Sequence, residues 1–305
     1  MTGRIINEKH EARALTPEVA WPTLGFLAVL VTVHWSMIWL VLSGAVVLGW
    51  LILPLGFTSY AHYTLVHECV HGNIVRDRRF AWVHTLIGWY GSLMLFSTWP
   101  LLERTHKHHH SFVNTERDPD LYVKLSFPRL LLRNLISTLL QPIPILILKL
   151  VFRDRSLARG YVNADQIMTR SEKTQHHIAN WLMCIAVWWL AVGGFGWVFV
   201  GLVYGMVFIA MNMLIIMFQW LPHHPFSETG RYSATRNIGF TSWNYLFLWQ
   251  NWHLMHHLWP SVPFYNYQRL YNRIQPVLEE KGARHHEGLV PAHGPIVTES
   301  ETAAE

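Results

Sequence analysis

Two long stretches of the chain contain no charged side chain, and this feature limits the possible folds more than any other. They run from Trp21 to Val66 and from Ala179 to Pro222. Because a helix needs about 20 apolar residues to cross a bilayer, each stretch can form two spanning helices joined by a short turn. We therefore predict an all-α integral membrane protein with two transmembrane helical hairpins. The turns fall near Ser43-Gly44 and Gly193-Gly194, and the four spanning helices cover about 23–42, 45–66, 179–199 and 201–221.

The distribution of basic residues predicts the orientation of these hairpins. All 24 lysines and arginines lie outside the two uncharged stretches and on one side of the predicted membrane. Basic residues are concentrated on the cytoplasmic side of multi-pass proteins. The sequence thus predicts short external turns and a cytoplasmic location for the remaining segments.

The other segments divide the chain into an arm, a catalytic domain and a tail. We predict a cytoplasmic arm at 1–20, a membrane domain at 21–278 and a disordered tail at 279–305. The uncharged run Phe80–Leu102 contains Gly88, Gly91 and Pro100, which indicate either a re-entrant hairpin or a helix lying in the interface.

Two further segments separate the predicted hairpins. Leu130–Phe152 is interrupted by Arg133 and by prolines, which favours an amphipathic interfacial segment. Residues 153–177 are rich in charged side chains and should form a soluble connection.

Three histidine clusters follow the apolar runs on the same predicted side. Histidines at i, i+3 and i+4 lie on one face of a helix and can reach one metal ion. The clusters contain the residues His67 and His71, then His106, His109 and His110, and finally His253, His256 and His257. His223 follows the fourth predicted helix at the same level and is the natural ninth ligand.

Nine imidazoles are enough to hold two metal ions with open positions. Two six-coordinate ions have about twelve ligand positions, so roughly three remain for water or dioxygen. Neutral nitrogen ligands without thiolate suit iron among the redox metals, although they also accept zinc and copper. We predict a cytoplasmic di-metal cap in which iron is the favoured metal and zinc or copper stay open.

Polar residues near the clusters are candidates for orienting the imidazoles. A carboxylate or amide that binds the second ring nitrogen fixes the tautomer of a ligating histidine. We select Glu68, Asp118 and Asn251, with Glu103, Glu116 and Asp120 as further candidates. The isolated histidines His34, His62 and His84 lie in apolar runs, where a hydrogen-bonded interior role is typical. His108 and His224 adjoin stronger candidates and could replace them as ligands.

Several classes of function conflict with the sequence. The two cysteines, Cys69 and Cys184, cannot form a disulfide framework or a CxxC motif. Neither an RNP motif nor a long basic block points to nucleic acid. The HExxH motif of zinc metalloproteases also matches the residues His67-Glu-Cys-Val-His71. A protease, however, would leave five or six spaced histidines unexplained. A metal transporter should place its ligands near the bilayer midplane, not at one surface.

The three clusters resemble the histidine boxes of the membrane fatty acid desaturase and hydroxylase superfamily. Their forms, HxxxH, HxxHH and HxxHH, occur in the expected order at His67–His71, His106–His110 and His253–His257. The resemblance covers about residues 60–272. The branch that looks most similar is the cyanobacterial-type β-carotene ring hydroxylases, by the segments Leu221–Phe226, Gln250–Pro260, Pro263–Tyr267 and Asn114–Asp120.

This resemblance implies a non-haem di-iron oxygenase that uses dioxygen on an apolar membrane lipid. The favoured reaction is hydroxylation of a β-carotene-type ring, and acyl-lipid desaturation is the alternative. The resemblance also implies His223 as a ligand outside the boxes. No segment resembles a ferredoxin or cytochrome b5 domain, so we expect electrons from a separate protein of one of these types. The sequence does not choose between hydroxylation and desaturation.

Overall fold

The computed structural model describes residues 6–120, 124–151, 164, 166–193, 196, 201–239 and 241–289. The first two predicted helices form, and the second ends four residues beyond its predicted end at residue 66. α2 (Trp21–Leu42) begins with Pro22 in its first turn, and α3 (Leu48–Val70) follows a short loop. Gly44 in this loop has φ +75, a conformation that favours glycine. α3 continues past the uncharged run, and His71 caps its end. The first histidine pair therefore lies on the last turn of a helix of about 34 Å.

The second pair of long helices begins earlier than predicted. α8 (Arg170–Val192) starts nine residues before the expected position, because Thr169 and Glu172 form a capping box. The predicted soluble connection 153–177 therefore ends in a helix, and most of its remainder lies outside the described residues. α9 (Gly201–His223) ends in a histidine. Its last turns, Leu214–Trp220, have π-helical geometry, which often occurs at functional sites.

Two described helices are long and apolar enough to cross a membrane, α2 and α9. The structure thus confirms a mostly helical protein with candidate spans, but not the predicted number of four. α3 and α8 are as long, yet α3 carries polar residues such as Thr58 and His62, and α8 opens with a charged turn. These polar and charged residues lower the mean hydropathy of both helices.

The run Phe80–Leu102 folds as a helical hairpin. α4 (Trp82–Met94) packs on α3, and the chain turns before α5 (Trp99–Phe112). Gly91 allows this close approach, since a Cβ there would meet the His62 carbonyl and Val66. Because of this turn, the second histidine cluster lies next to the first.

The segment after the second cluster forms two helices with a sharp bend. α6 (Phe127–Leu140) and α7 (Ile145–Val151) are inclined by 114° and could count as a third, broken span. Pro142 and Pro144 lie at the bend, where proline interrupts helical hydrogen bonding. α6 packs on α9 through Asn134 Nδ2, which donates to Asn212 Oδ1 at 3.3 Å. The predicted end at Phe152 lies outside the described residues.

The remaining elements form a cap over the helix ends. They are α1 (Glu8–Ala14), β1 (Asn237–Ile238), α10 (Asn244–Phe247), α11 (His253–Leu258), α12 (Tyr267–Glu280), β2 (His285–His286), and the 3-10 turns Arg78–Phe80, Thr241–Trp243 and Phe264–Asn266. α1, within the predicted arm, packs on α12 through Ala12, Leu270 and Ile274.

The beginning of the predicted disordered tail belongs to this cap. β2 pairs in parallel with β1, and the buried Arg236 donates to the carbonyls of Gly288 and Leu289. The prediction of a tail from residue 279 is therefore wrong for residues 279–289. Hydrogen bonds to β1 and Arg236, which the polar composition does not reveal, explain the difference. Residues 290–305 lie outside the described part of the chain.

Candidate metal centre

The last turn of α3 supplies the first two histidines. His67 is fully buried, and its Nε2 lies 3.0 Å from His256 Nε2. His71, which caps the helix, places its Nε2 3.0 Å from His106 Nε2. The continuation of α3 beyond the apolar run therefore brings both rings to the other two clusters.

The second and third clusters lie on short helices that face each other. α5 presents His106 and His110, whose Nε2 atoms are 3.2 Å apart. α11 presents His256, whose Nε2 lies 2.6 Å from His110 Nε2 across 146 residues of sequence. The helical conformation expected for both clusters is confirmed.

The nine predicted ligand residues all gather in one place, eight of them in two groups of four. The ligand atoms of each group lie within 4.8 Å of one another. One group contains His67, His71, His106 and His256, and the other contains His109, His223, His253 and His257. His110 forms a further set with His256 and His257, which belong to different groups. The geometry thus provides two adjacent nitrogen-lined sites connected by His110.

The chemistry of these side chains fits metal ions. Burial, and then the charges of neighbouring imidazoles, lowers the pKa of His106, His110 and His256 well below its ordinary value. These rings are therefore neutral near pH 7, the form in which imidazole binds a metal. Mutually facing Nε2 atoms at 2.6–3.2 Å leave many lone pairs with no matching proton. A cation between them would satisfy these lone pairs.

Asp118, one of the candidate orienting residues, lies beside one of these rings. His109 Nδ1 donates to Asp118 Oδ1 at 2.9 Å, so that Nε2 is left to face the second group. The Asp118 carboxylate also accepts from the backbone amides of Asn114 and Asp120, each at 2.9 Å. These bonds hold the carboxylate in place, and through it the His109 ring.

The sequence profile of the fatty acid desaturase family matches residues 38–288. This chain belongs to the fatty acid desaturase family. Membership implies an oxidoreductase that acts on lipid and is associated with membranes. No solved structure matches the chain.

Two relatives of this desaturase-family chain are plant proteins. It is similar to the probable fatty acid desaturase DES1 of Sorghum bicolor, with 23% identity over an alignment of 304 residues. The match covers 88% of this chain and 75% of the relative. It is also similar to an endoplasmic-reticulum omega-3 fatty acid desaturase of Nicotiana tabacum, with 22% identity over 257 residues. That match covers 75% of this chain and 66% of the relative.

Two of the predicted orienting residues have different surroundings. The Glu68 carboxylate lies 3.6 Å from His67 Nδ1, a contact too long for a hydrogen bond. Asn251 donates instead to the Ile238 carbonyl and to Asn244 Oδ1, both at 2.9 Å. It therefore fixes the loop before α11 and not a histidine ring. The partners of Asn251 are set by its contact with β1 in the folded chain, although Asn251 lies close to His253 in the sequence.

Tyr267 is an orienting residue that the sequence analysis did not select. Its hydroxyl lies 3.1 Å from His256 Nδ1, at the first turn of α12. The segment Pro263–Tyr267 carried the family resemblance, and a buried tyrosine there requires a hydrogen-bond partner. The hydroxyl could have been matched to the histidine only with the fold known.

The other histidines lie elsewhere. His34 Nδ1 contacts Thr58 Oγ1 at 2.8 Å, and His62 Nδ1 donates to the Thr58 carbonyl at 2.7 Å, so the interior role predicted for both is confirmed. His84 is half-buried and accepts from the backbone amide of Val75. The alternative candidates contact aromatic rings: the His108 ring lies tilted against Phe112, and the His224 ring stacks on Trp220.

A cavity of about 190 Å³ begins beside the first group of histidines. Tyr63, His106 and Gln219 are among its lining residues, so the cavity adjoins the metal centre. Apolar side chains of α5 and α9, such as Leu102 and Leu214, line its walls. This desaturase-family chain thus offers a mostly apolar space beside the histidines.

Proposed function

We propose that this chain is a non-haem di-iron oxygenase that uses dioxygen to desaturate an acyl chain of a membrane lipid. The observation that carries the proposal is the position of eight imidazoles in two adjacent groups, with the ninth, His110, between them, beside a mostly apolar cavity that His106 lines. A linear hydrocarbon chain fits such a cavity, and burial of each methylene contributes about 0.8 kcal/mol to its binding.

The two groups would each hold one iron ion. The ligands are His67, His71, His106, His109, His110, His223, His253, His256 and His257. Bound iron supplies the activation of dioxygen that removal of hydrogen from an unactivated C–H bond requires. The protein holds the nitrogen atoms in place, with Asp118 fixing His109 and Tyr267 fixing His256.

The protein also controls what reaches the iron. His106 belongs to the first group and lines the cavity, so the chain of a bound lipid would pass beside this ligand. Apolar walls exclude water and position the chain. Electrons would come from an external donor of the ferredoxin or cytochrome b5 type.

Two observations favour an acyl chain over a carotenoid ring. The cavity of about 190 Å³ is smaller than the roughly 300–1,000 Å³ of typical ligand pockets, which suits a slender chain better than a substituted ring. In addition, the two curated relatives are named as fatty acid desaturases. Carotenoid ring hydroxylation is the second candidate, because the segments Leu221–Phe226 and Gln250–Pro260 resemble that branch.

The proposal includes an arrangement in the membrane. α2, α3, α8 and α9 would be the four spanning helices, with the histidine groups on the cytoplasmic side. The absence of lysine and arginine between Arg13 and Arg76, and between Lys173 and Arg231, supports this orientation.

The experiment is expression in two hosts followed by mass spectrometry of the lipids. One host has a defined acyl-lipid pool, and the other makes β-carotene. We expect acyl chains that are two hydrogen atoms lighter in the first host. Hydroxylated carotenoid without new acyl products would favour the second candidate. Purified protein that is fully active without iron would refute the di-iron proposal, and peptide cleavage with bound zinc would point to a metalloprotease.

A further inference from the structure

Two ligands of the second group of histidines have no side-chain partner that fixes their rings. In the same group, His109 Nδ1 is held by Asp118. The Nδ1 atoms of His223 and His253, in contrast, are buried and have no hydrogen-bond partner in the described part of the chain. The positions of these two rings, whose Nε2 atoms lie 2.9 Å apart, therefore depend on how the backbone that carries each ring is held.

The end of α9, which carries His223, needs hydrogen-bond donors from outside the helix. The last carbonyls of a helix have no donor within it. Pro225, four residues after Leu221, has no amide hydrogen and cannot supply one to the Leu221 carbonyl. A buried carbonyl without a donor is costly, so another part of the chain must hold this turn.

Arg236 and Thr235 supply these donors. Arg236 Nε donates to the Leu221 carbonyl at 3.0 Å, and the Arg236 amide donates to the Pro222 carbonyl at 3.2 Å. Thr235 Oγ1 donates to the same carbonyl of Pro222 at 2.9 Å. A cation at the end of a helix is also stabilised by the helix dipole. The last turn of α9 is thus fastened from a single segment.

This segment, residues 235–238, also holds the start of α11, which carries His253. The Ile238 amide donates to the Asn251 carbonyl at 2.7 Å. Asn251 Nδ2 in turn donates to the Ile238 carbonyl at 2.9 Å. Asn251 lies two residues before His253. One short segment therefore contacts the backbone next to both rings that lack a side-chain partner.

Arg236 is fully buried and is itself held by residues near the end of the described chain. Its Nη1 and Nη2 atoms donate to the carbonyls of Gly288 and Leu289. Burial lowers the pKa of Arg236 to about 10, so the side chain keeps its charge near pH 7. A buried charge is costly unless it is well hydrogen-bonded, and a planar guanidinium can donate on several sides at once. Arginine therefore suits this position better than lysine.

We propose that Arg236 is a positioning residue of the second metal site, where it sets the distance between His223 and His253 by fastening α9 to the segment that holds α11. This assignment rests on the proposed function and deepens it by naming a residue on which one of the two metal sites depends. A metal ion requires its ligand atoms within ~0.2 Å of their places. The first group has no ligand on α9 and should not depend on Arg236.

The test counts metal ions on the purified full chain in lipid nanodiscs. Chelator-treated protein is equilibrated with Fe²⁺ in oxygen-free buffer at a series of concentrations, and bound iron is measured by elemental analysis after gel filtration. We expect two ions on the wild-type chain. Arg236→Gln should bind one ion with unchanged affinity and the other at least about tenfold more weakly. Two sites of wild-type affinity, or equal weakening of both sites, would overturn the assignment.

Two further variants complete the titration. Arg273→Gln is the matched control and should keep both sites, since Arg273 pairs with Glu11 at the surface of the same cap. Thr235→Val removes only the hydroxyl bond to Pro222 and should weaken the second site by roughly 2–10-fold. If Arg236→Gln does not fold, Thr235→Val decides, and a second site of wild-type affinity in that variant would overturn the proposal.

Thermal unfolding separates positioning from a general contribution to stability. A purely structural role would lower the unfolding temperature of the metal-free protein and leave the rise on addition of Fe²⁺ unchanged. The positioning role predicts a smaller rise for Arg236→Gln than for the wild type, because one ion is bound less tightly. An equal rise in both proteins would contradict the assignment.

The same samples separate this assignment from the proposed function. Product formation is followed by mass spectrometry after addition of reductant and dioxygen. If the wild type binds two iron ions without oxidising lipid, the proposed activity is refuted, and a weakened second site in Arg236→Gln still supports the assignment. Oxidation of lipid by a variant with two normal sites would refute only the role of Arg236. A wild-type chain that binds no iron would refute both.

Discussion

Two sets of buried histidines in this protein have opposite surroundings. His34 and His62 lie between α2, α3 and α4, and their ring nitrogens contact Thr58 and, for His62, also the Tyr90 hydroxyl at 3.2 Å. In the metal centre, by contrast, the Nε2 atoms face one another, as at His223 and His253, 2.9 Å apart. An imidazole paired with protein groups contributes to structure, whereas imidazoles that face one another provide lone pairs for a cation.

The strongest test of this comparison removes one facing imidazole. We expect His256→Ala to reduce product below detection and to lower bound iron, because His256 contacts both His67 and His110. Iron is measured by elemental analysis and product by mass spectrometry. His10→Ala is the matched control, since that side chain is 77% exposed. Full iron content in His256→Ala would argue against its role as a ligand.

Removal of the metal should have the next largest effect. A ligand that binds only the folded state at 100 times its Kd stabilises the protein by about 2.7 kcal/mol. Chelation should therefore lower the thermal unfolding temperature, and added Fe²⁺ should restore it. An unfolding temperature that does not change with chelation would show that the facing histidines do not depend on a cation.

Asp118→Asn tests the orienting carboxylate. The amide keeps the shape but loses the charge that holds His109 Nδ1–H, so we expect iron affinity or activity to fall by about 10–100-fold. Iron titration and initial rates measure the two quantities. Asp77→Asn serves as the control, because Asp77 pairs with Arg79 on the surface. Equal effects of the two substitutions would contradict a specific role for Asp118.

A smaller effect is expected for Tyr267→Phe. The variant removes one neutral hydrogen bond to His256, and such bonds contribute about 0.5–1.5 kcal/mol. Activity should then fall by a factor of roughly 2–10, while iron remains bound. The exposed Tyr245 provides the control variant Tyr245→Phe. Complete loss of iron in Tyr267→Phe would require a larger role for this residue.

The smallest effect is expected for the histidine set with protein partners. His34→Phe removes the contact with Thr58 and should lower the free energy of unfolding by about 1 kcal/mol. Iron content and activity should not change, because His34 lies outside the two histidine groups. Loss of iron in this variant would contradict the distinction between the histidines that pair with protein groups and those of the metal centre.

Local features of the fold and of the site could be predicted from the sequence. The uncharged runs predicted long helices, and the turn at Ser43-Gly44 occurs as expected. The spacing of His253, His256 and His257 predicted a helical cluster, because helix periodicity depends only on neighbouring residues. The early start of α8 was missed although its capping box is also local.

Features that depend on distant contacts could not be predicted. Residues 279–289 belong to the cap because they pair with β1 and accept hydrogen bonds from Arg236. Their polar composition alone suggested a disordered tail. Asn251 donates to Asn244 and to β1. The polar side chain that contacts a ligating histidine is Tyr267 and not, as we had expected from the sequence, Asn251. Sequence proximity does not reveal which of several polar neighbours a folded chain brings into contact.

By itself, the sequence determined where the long apolar helices lie and which face of each short helix carries imidazoles, since both follow from hydropathy and from a period of 3.6 residues. Only the tertiary structure decided how the imidazoles are divided. His109 joins His223 and His253, although it lies between His106 and His110 in the sequence. The division depends on how α3, α5, α9 and α11 pack, and packing distances between helices arise from contacts that no single segment contains.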